Sequence, residues 1–126
     1  AGAKMPAAVV AKLHEGREAH LSSVRRAIEA GVKIALGSDA AALGHGRNLN
    51  EMAEMHALGL SAPDVLRSAT SSAAELMKRD SLIGSLTAGK LGDITIVSGD
   101  PFDFGNYPAN VRAVFKRGRL ARHFPA

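Results

Sequence analysis

The sequence predicts an α/β chain, and three observations carry that expectation. Apolar residues recur at helical spacing from about Pro6 to Ala30. A short glycine-flanked apolar run, Val32-Lys33-Ile34-Ala35-Leu36, follows at once and ends in Gly37-Ser38-Asp39. A loop of small residues to Gly46 then leads into a second amphipathic stretch. Helix, tight turn, buried strand, glycine-bearing loop and helix is the order of a parallel α/β unit.

The composition narrows the function classes. A chain of 126 residues, 46% hydrophobic, supports one modest core and is neither disordered nor fibrous. No apolar run approaches the roughly 18 residues that a membrane helix needs, so no membrane partner is expected. Sixteen Lys+Arg against twelve Asp+Glu leave a net charge of +4, scattered rather than blocked. That pattern reads as a solvated surface, and no nucleic-acid partner is expected. The absence of cysteine excludes disulfides, thiolate metal sites and a cysteine nucleophile. No secretory signal pattern opens the chain, so a cytoplasmic location is expected. The chain starts on Ala-Gly-Ala-Lys without an initiator Met, and is expected to be a piece of something longer.

Pro6 suits a first helical turn, where its missing N–H costs nothing, and Val10, Leu13, Leu21, Val24 and Ile28 supply the apolar face. Gly31 stands where a helix-terminating glycine belongs. The run Val32–Leu36 is rich in β-branched and apolar residues and reads as a buried strand. Asp39 at its end has two readings. It caps a turn, or it is a carboxylate on the catalytic edge, where parallel strands end and their loops build the site. Gly44 and Gly46 bracket His45, and glycine there lets backbone approach a ligand. Asn48 and Glu51 have the spacing of a capping box, and Gly59 stops the helix they open. Ser61-Ala62-Pro63-Asp64 starts another helix, broken and restarted at Thr70-Ser71-Ser72 and running to about Lys78.

After Asp80 the pattern turns to β. Ile94–Val97 reads as a strand, Ser98-Gly99-Asp100-Pro101 as a turn, and Phe102 to Asn110 as irregular. Val111–Phe115 alternates as a half-buried strand, and Lys116-Arg117-Gly118-Arg119 turns the chain into a last strand ending near His123. Phosphate-binding loops, dinucleotide fingerprints, His-Glu-x-x-His and nucleophile elbows are all absent. His14 with Glu18, and His56 alone on its helix, read as structural. A zinc site needs three or four converging ligands. Asp39 and His45 are the one pair placed on a common edge.

The order of motifs resembles a family. Ala30-Gly31-Val32-Lys33-Ile34-Ala35-Leu36-Gly37-Ser38-Asp39 is followed by His45-Gly46-x-Asn48 and by Leu66-x-x-Ala69-Thr70-Ser71-x-x-Ala74. Then come Ile83-Gly84-Ser85-Leu86-x-x-Gly89-Lys90-Leu91-Gly92-Asp93, Gly99-Asp100-Pro101 and Val111-Arg112-Ala113-Val114-Phe115-x-x-Gly118-Arg119. This resembles the C-terminal part of a metal-dependent amidohydrolase of the imidazolonepropionase-like and Xaa-Pro dipeptidase-like branch. Gly92-Asp93 departs from the family's Ala-Asp.

The resemblance implies the C-terminal portion of a (β/α)8 TIM barrel, its last βα units in residues 1–80, with residues 81–126 as the C-terminal segment of a small β-sandwich. It implies a hydrolase of amide or cyclic-amide C–N bonds with a divalent metal, zinc, as cofactor and a small molecule or dipeptide as substrate. Asp39 would touch the metal and carry a proton from the attacking water, and His45 would contact the substrate carboxylate. The family's other metal ligands would lie upstream, so the piece alone is expected to be inactive. The rest of the barrel, or a homo-oligomer, is the expected partner. The alternative is a non-catalytic interaction module.

Overall fold

A computed structural model describes residues 6–38 and 47–125, except for the side chains of 7–11 and 13–15. The chain divides into two compact units, Ala1–Val32 and Lys33–Ala126. The first contains helix α1, Ala7–Glu29, within a residue or two of the expected bounds. Its end is a Schellman motif: Gly31 N–H donates to the Ile28 carbonyl at 3.0 Å and Val32 N–H to the Ala27 carbonyl at 3.0 Å. The motif needs a left-handed residue, and Gly31 supplies it with φ +69°.

In the second unit, α2 (Asn50–Ala57), α3 (Ala62–Ser68) and α4 (Ser71–Leu76) follow one another with short joints. The expected capping box at Asn48 does not form. Leu49 holds the N-cap position and no side chain caps the helix. Backbone explains the difference: Asn50 N–H takes the Arg47 carbonyl at 3.0 Å and Met52 N–H the Leu49 carbonyl at 3.2 Å. A preceding turn thus satisfies amides that a cap would otherwise serve. Gly59 ends α2 by a second Schellman motif, with Leu60 N–H on the Met55 carbonyl at 3.2 Å. Ser61 caps α3 as expected, its Oγ accepting from Asp64 N–H at 3.3 Å. That hydroxyl and the Arg67 guanidinium hold the Asp64 carboxyl below its usual value.

Three antiparallel strands, β1 (Ile94–Val97), β2 (Val111–Lys116) and β3 (Arg119–His123), form one sheet in that order. Ile94 faces Phe115, and Lys116 faces Arg119 across the tight turn. Arg117 and Gly118 in that turn both have positive φ, 51° and 76°, the type I′ geometry that matches strand twist. Between β1 and β2, where irregular chain was expected, Tyr107–Asn110 makes one helical turn, α5. The buried centre of the unit is Met52 of α2, Val65 of α3 and Phe104, with Leu36, Leu60, Leu66 and Tyr107 packed around it. Phe104, from the segment between β1 and β2, therefore completes a core built mainly by helices.

The expected strand Val32–Leu36 pairs with no other strand among the described residues. Among the described residues it joins no ladder, and Val32 is 56% exposed. A strand exists only where a neighbour takes its amides, and Leu36 N–H is instead taken by a helix end. The described residues accordingly contain no parallel strand pair.

Candidate active site

The segment that leads to Asp39 is held at two points. Leu36 N–H donates to the carbonyl of Ser68, the last residue of α3, at 2.9 Å. That carbonyl is one of the four that a helix C-terminus leaves without an internal partner, so the contact satisfies both groups. The Leu36 side chain packs against the Met52–Val65–Phe104 core. Lys33, three residues earlier, pairs through its ammonium with the Glu75 carboxylate on α4.

Ser68 is the one buried polar residue among those described, and its Oγ donates to the Val65 carbonyl at 2.7 Å. Thr70, at the joint between α3 and α4, likewise donates its hydroxyl to the Leu66 carbonyl at 2.6 Å. Both are short side chains bonding back onto a preceding helical turn. Neither Ser68 nor Glu75 is marked as special by sequence pattern, because their partners lie 32 and 42 residues away.

Asp39 and His45, the two site residues expected from sequence, lie outside the described residues. His56 is structural, as its position on α2 suggested. Its Nδ1 lies 2.9 Å from the Leu60 carbonyl, and since a carbonyl only accepts, Nδ1 carries the proton. The ring meets Phe104 edge-on at 5.5 Å and 71°. Among the described residues no group of three or more His, Asp or Glu is arranged to hold a metal ion. Those residues by themselves therefore do not form the divalent-metal site that the resemblance implies.

Among the described residues, the two displaced carboxyl pKa values fall on structural aspartates. Asp64 belongs to the α3 cap, and Asp93 is lowered by the Lys116 ammonium first and by the Arg117 amide second. Burial raises the Tyr107 phenol beside Phe104. No helix among the described residues is long and apolar enough to cross a membrane.

The sequence pattern of the amidohydrolase family matches residues 4–121, nearly the whole chain. The chain belongs to the amidohydrolase family. Among solved structures, this amidohydrolase chain is similar to a Xaa-Pro dipeptidase with bound methionine in the active site. The two share 37% identity at a TM-score of 0.76, over 81% of this chain and 25% of the dipeptidase. It is also similar to a prolidase complexed with N-methylphosphonate-L-proline: 27% identity, TM-score 0.77, over 95% of this chain and 30% of the prolidase. An amidohydrolase from Thermotoga maritima matches at 25% identity and TM-score 0.69, over 82% of this chain and 26% of its own. No curated protein matches the chain. The chain thus spans between a quarter and three tenths of these relatives' lengths. The family read from the ordered motifs, with its dipeptidase-like branch, is the family found.

Proposed function

We propose that this amidohydrolase chain is the C-terminal part of a metal-dependent hydrolase that cleaves amide or cyclic-amide C–N bonds in small molecules or dipeptides. The observation that carries this reading is the 37% identity, over 81% of the chain, with a Xaa-Pro dipeptidase. In this reading residues 1–80 are the last βα units of a (β/α)8 barrel and residues 81–126 are part of a β-sandwich. Asp39 carries the chemistry that these residues contribute. Its carboxylate accepts a proton from the attacking water and returns it to the leaving amine, so that neither hydroxide nor an amide anion has to form free in solution. His45 offers a charged or hydrogen-bonding contact to a substrate carboxylate. The cofactor of this reading is a divalent metal, zinc, with most of its ligands outside this chain and Asp39 as the candidate ligand within it. A bound metal supplies Lewis acidity toward water.

The test is Asp39→Asn in the full-length hydrolase, assayed on Xaa-Pro dipeptides with folding followed by circular dichroism. Turnover should fall by about 100-fold or more, in line with loss of a general acid–base group, while the fold is retained. Wild-type turnover in that variant would remove Asp39 from the mechanism.

A further inference from the structure

We propose that the apolar surface at Leu76, Met77, Leu82 and Leu86 docks an upstream segment of the same hydrolase chain. The inference rests on reading these residues as part of a longer hydrolase. All four side chains are exposed among the described residues, and all four fall between positions 76 and 86. Clustered exposed apolar side chains of this kind mark a face that another surface covers.

The face is held in shape by backbone, because the loop carrying half of it is pinned to the helix carrying the other half. Leu82 and Ile83 both donate their amides to the Arg79 carbonyl, at 2.9 and 3.0 Å, just past the end of α4. Leu91 N–H returns to the Leu82 carbonyl at 2.9 Å and closes the loop. Gly84 lies so near α4 that a Cβ there would stand 2.6 Å from the Ala74 Cβ. The Lys90 ammonium donates to Ser85 Oγ at 2.7 Å, next to Leu86 in the chain. Docking on a loop already ordered costs little further conformational entropy.

Two occupants have the right chemistry, an apolar upstream segment and a second copy of this chain. Length and tethering favour the first. This chain matches 25% of the Xaa-Pro dipeptidase and 30% of the prolidase, so most of a hydrolase of that size lies outside it. A covalently linked segment acts at an effective concentration on the order of millimolar, about 1,000-fold above a second copy at micromolar concentration. The linked surface therefore takes the face first.

The experiment is a methionine footprint of the wild-type full-length hydrolase, folded and in denaturant, using dilute hydrogen peroxide and mass spectrometry of the peptides. Met77 is 56% exposed among the described residues and Met52 only 2%, so Met52 serves as the covered reference and the unfolded protein as the free one. With the face docked, Met77 should oxidise at least about tenfold more slowly in the folded hydrolase than in the unfolded, at every protein concentration. A smaller slowing, with Met52 protected, would overturn the inference. Protection of Met77 that disappears on dilution would overturn it too, in favour of a second copy. Wild-type turnover in Asp39→Asn would remove the catalytic reading and leave the footprint unchanged, so the two failures are distinguishable.

Discussion

The Asp93 carboxylate closes the β2–β3 turn from outside the hairpin, with Oδ2 on the Lys116 ammonium at 2.5 Å and Oδ1 on the Arg117 amide at 2.8 Å. The neighbouring Gly92 carbonyl accepts Gly118 N–H at 2.8 Å. Two adjacent residues before β1 thus hold both central residues of a turn more than twenty positions later. Gly92 has no room for more. A Cβ there would lie 2.9 Å from Gly118 N and 3.0 Å from its Cα, so glycine suits this position.

Because both contacts favour the ionised carboxylate, the folded pKa of Asp93 lies below its unfolded value. Its stabilising contribution is complete above about pH 3.9 and is lost as pH falls through the lowered folded pKa. Asp64, lowered by Ser61 and Arg67, acts in the same direction and the same window. Melting curves of wild type and Asp93→Asn should therefore differ at pH 7 and converge in acid. A difference that persists unchanged at pH 2 would contradict this assignment.

Lys78 ends α4 in the left-handed conformation, φ 54°, with its N–H on the Glu75 carbonyl and Arg79 N–H on the Ala74 carbonyl, both at 2.8 Å. This is the Schellman geometry that Gly31 and Gly59 adopt elsewhere, here forced on a residue with a Cβ. The left-handed penalty of about 1–2 kcal/mol exceeds the backbone entropy that glycine loses, about 0.5–1 kcal/mol. Lys78→Gly should therefore raise unfolding free energy by roughly 0.5–1 kcal/mol, read as a higher denaturant midpoint.

Gly84 is the opposite case. Its φ is +90°, and a Cβ would stand 2.6 Å from the Ala74 Cβ and 3.1 Å from the Thr70 carbonyl. Backbone and a buried methyl both resist, so Gly84→Ala should cost about 2–4 kcal/mol and loosen the loop from α4. Equilibrium unfolding checks the value, and a cost under about 0.5 kcal/mol would show that the loop moves aside freely.

Expressed as these 126 residues alone, the chain should self-associate. Leu76 is 76% exposed and Leu86 81%, with Met77 and Leu82 also open to solvent. Apolar side chains clustered over so short a stretch favour association. Light scattering should report species above the monomer mass across micromolar concentrations. A monodisperse monomer would show that this surface is tolerated in water.

How much was legible in the sequence differs by kind of feature. Local features were read correctly: the span of α1, the glycines ending α1 and α2, the Ser61 cap, the three strands and the Arg117-Gly118 turn. Each is decided by residues within a few positions, through capping, backbone conformation or alternation. The motif order was also enough to identify the amidohydrolase family. Val32–Leu36 finds no strand partner among the described residues, because its apolar, β-branched composition reports suitability for a strand and not the presence of a partner. The Asn48 cap was displaced by backbone carbonyls of the preceding turn, which no side-chain motif records. α5, a single turn, gave no periodic signal.

Tertiary structure alone decided the rest. Phe104 enters a core with Met52 and Val65 from about fifty and forty positions away, and Leu36 and Lys33 find their partners on α3 and α4. Such contacts depend on how elements meet, a relation between distant residues that spacing along the chain does not carry. The sequence by itself determined the span of α1, the glycines that end α1 and α2, where strands turn and which family's motifs the chain bears, because those depend on near neighbours and on motif order. Only the tertiary structure decided what holds the segment running to Asp39, because an extended chain takes its place from whatever accepts its hydrogen bonds.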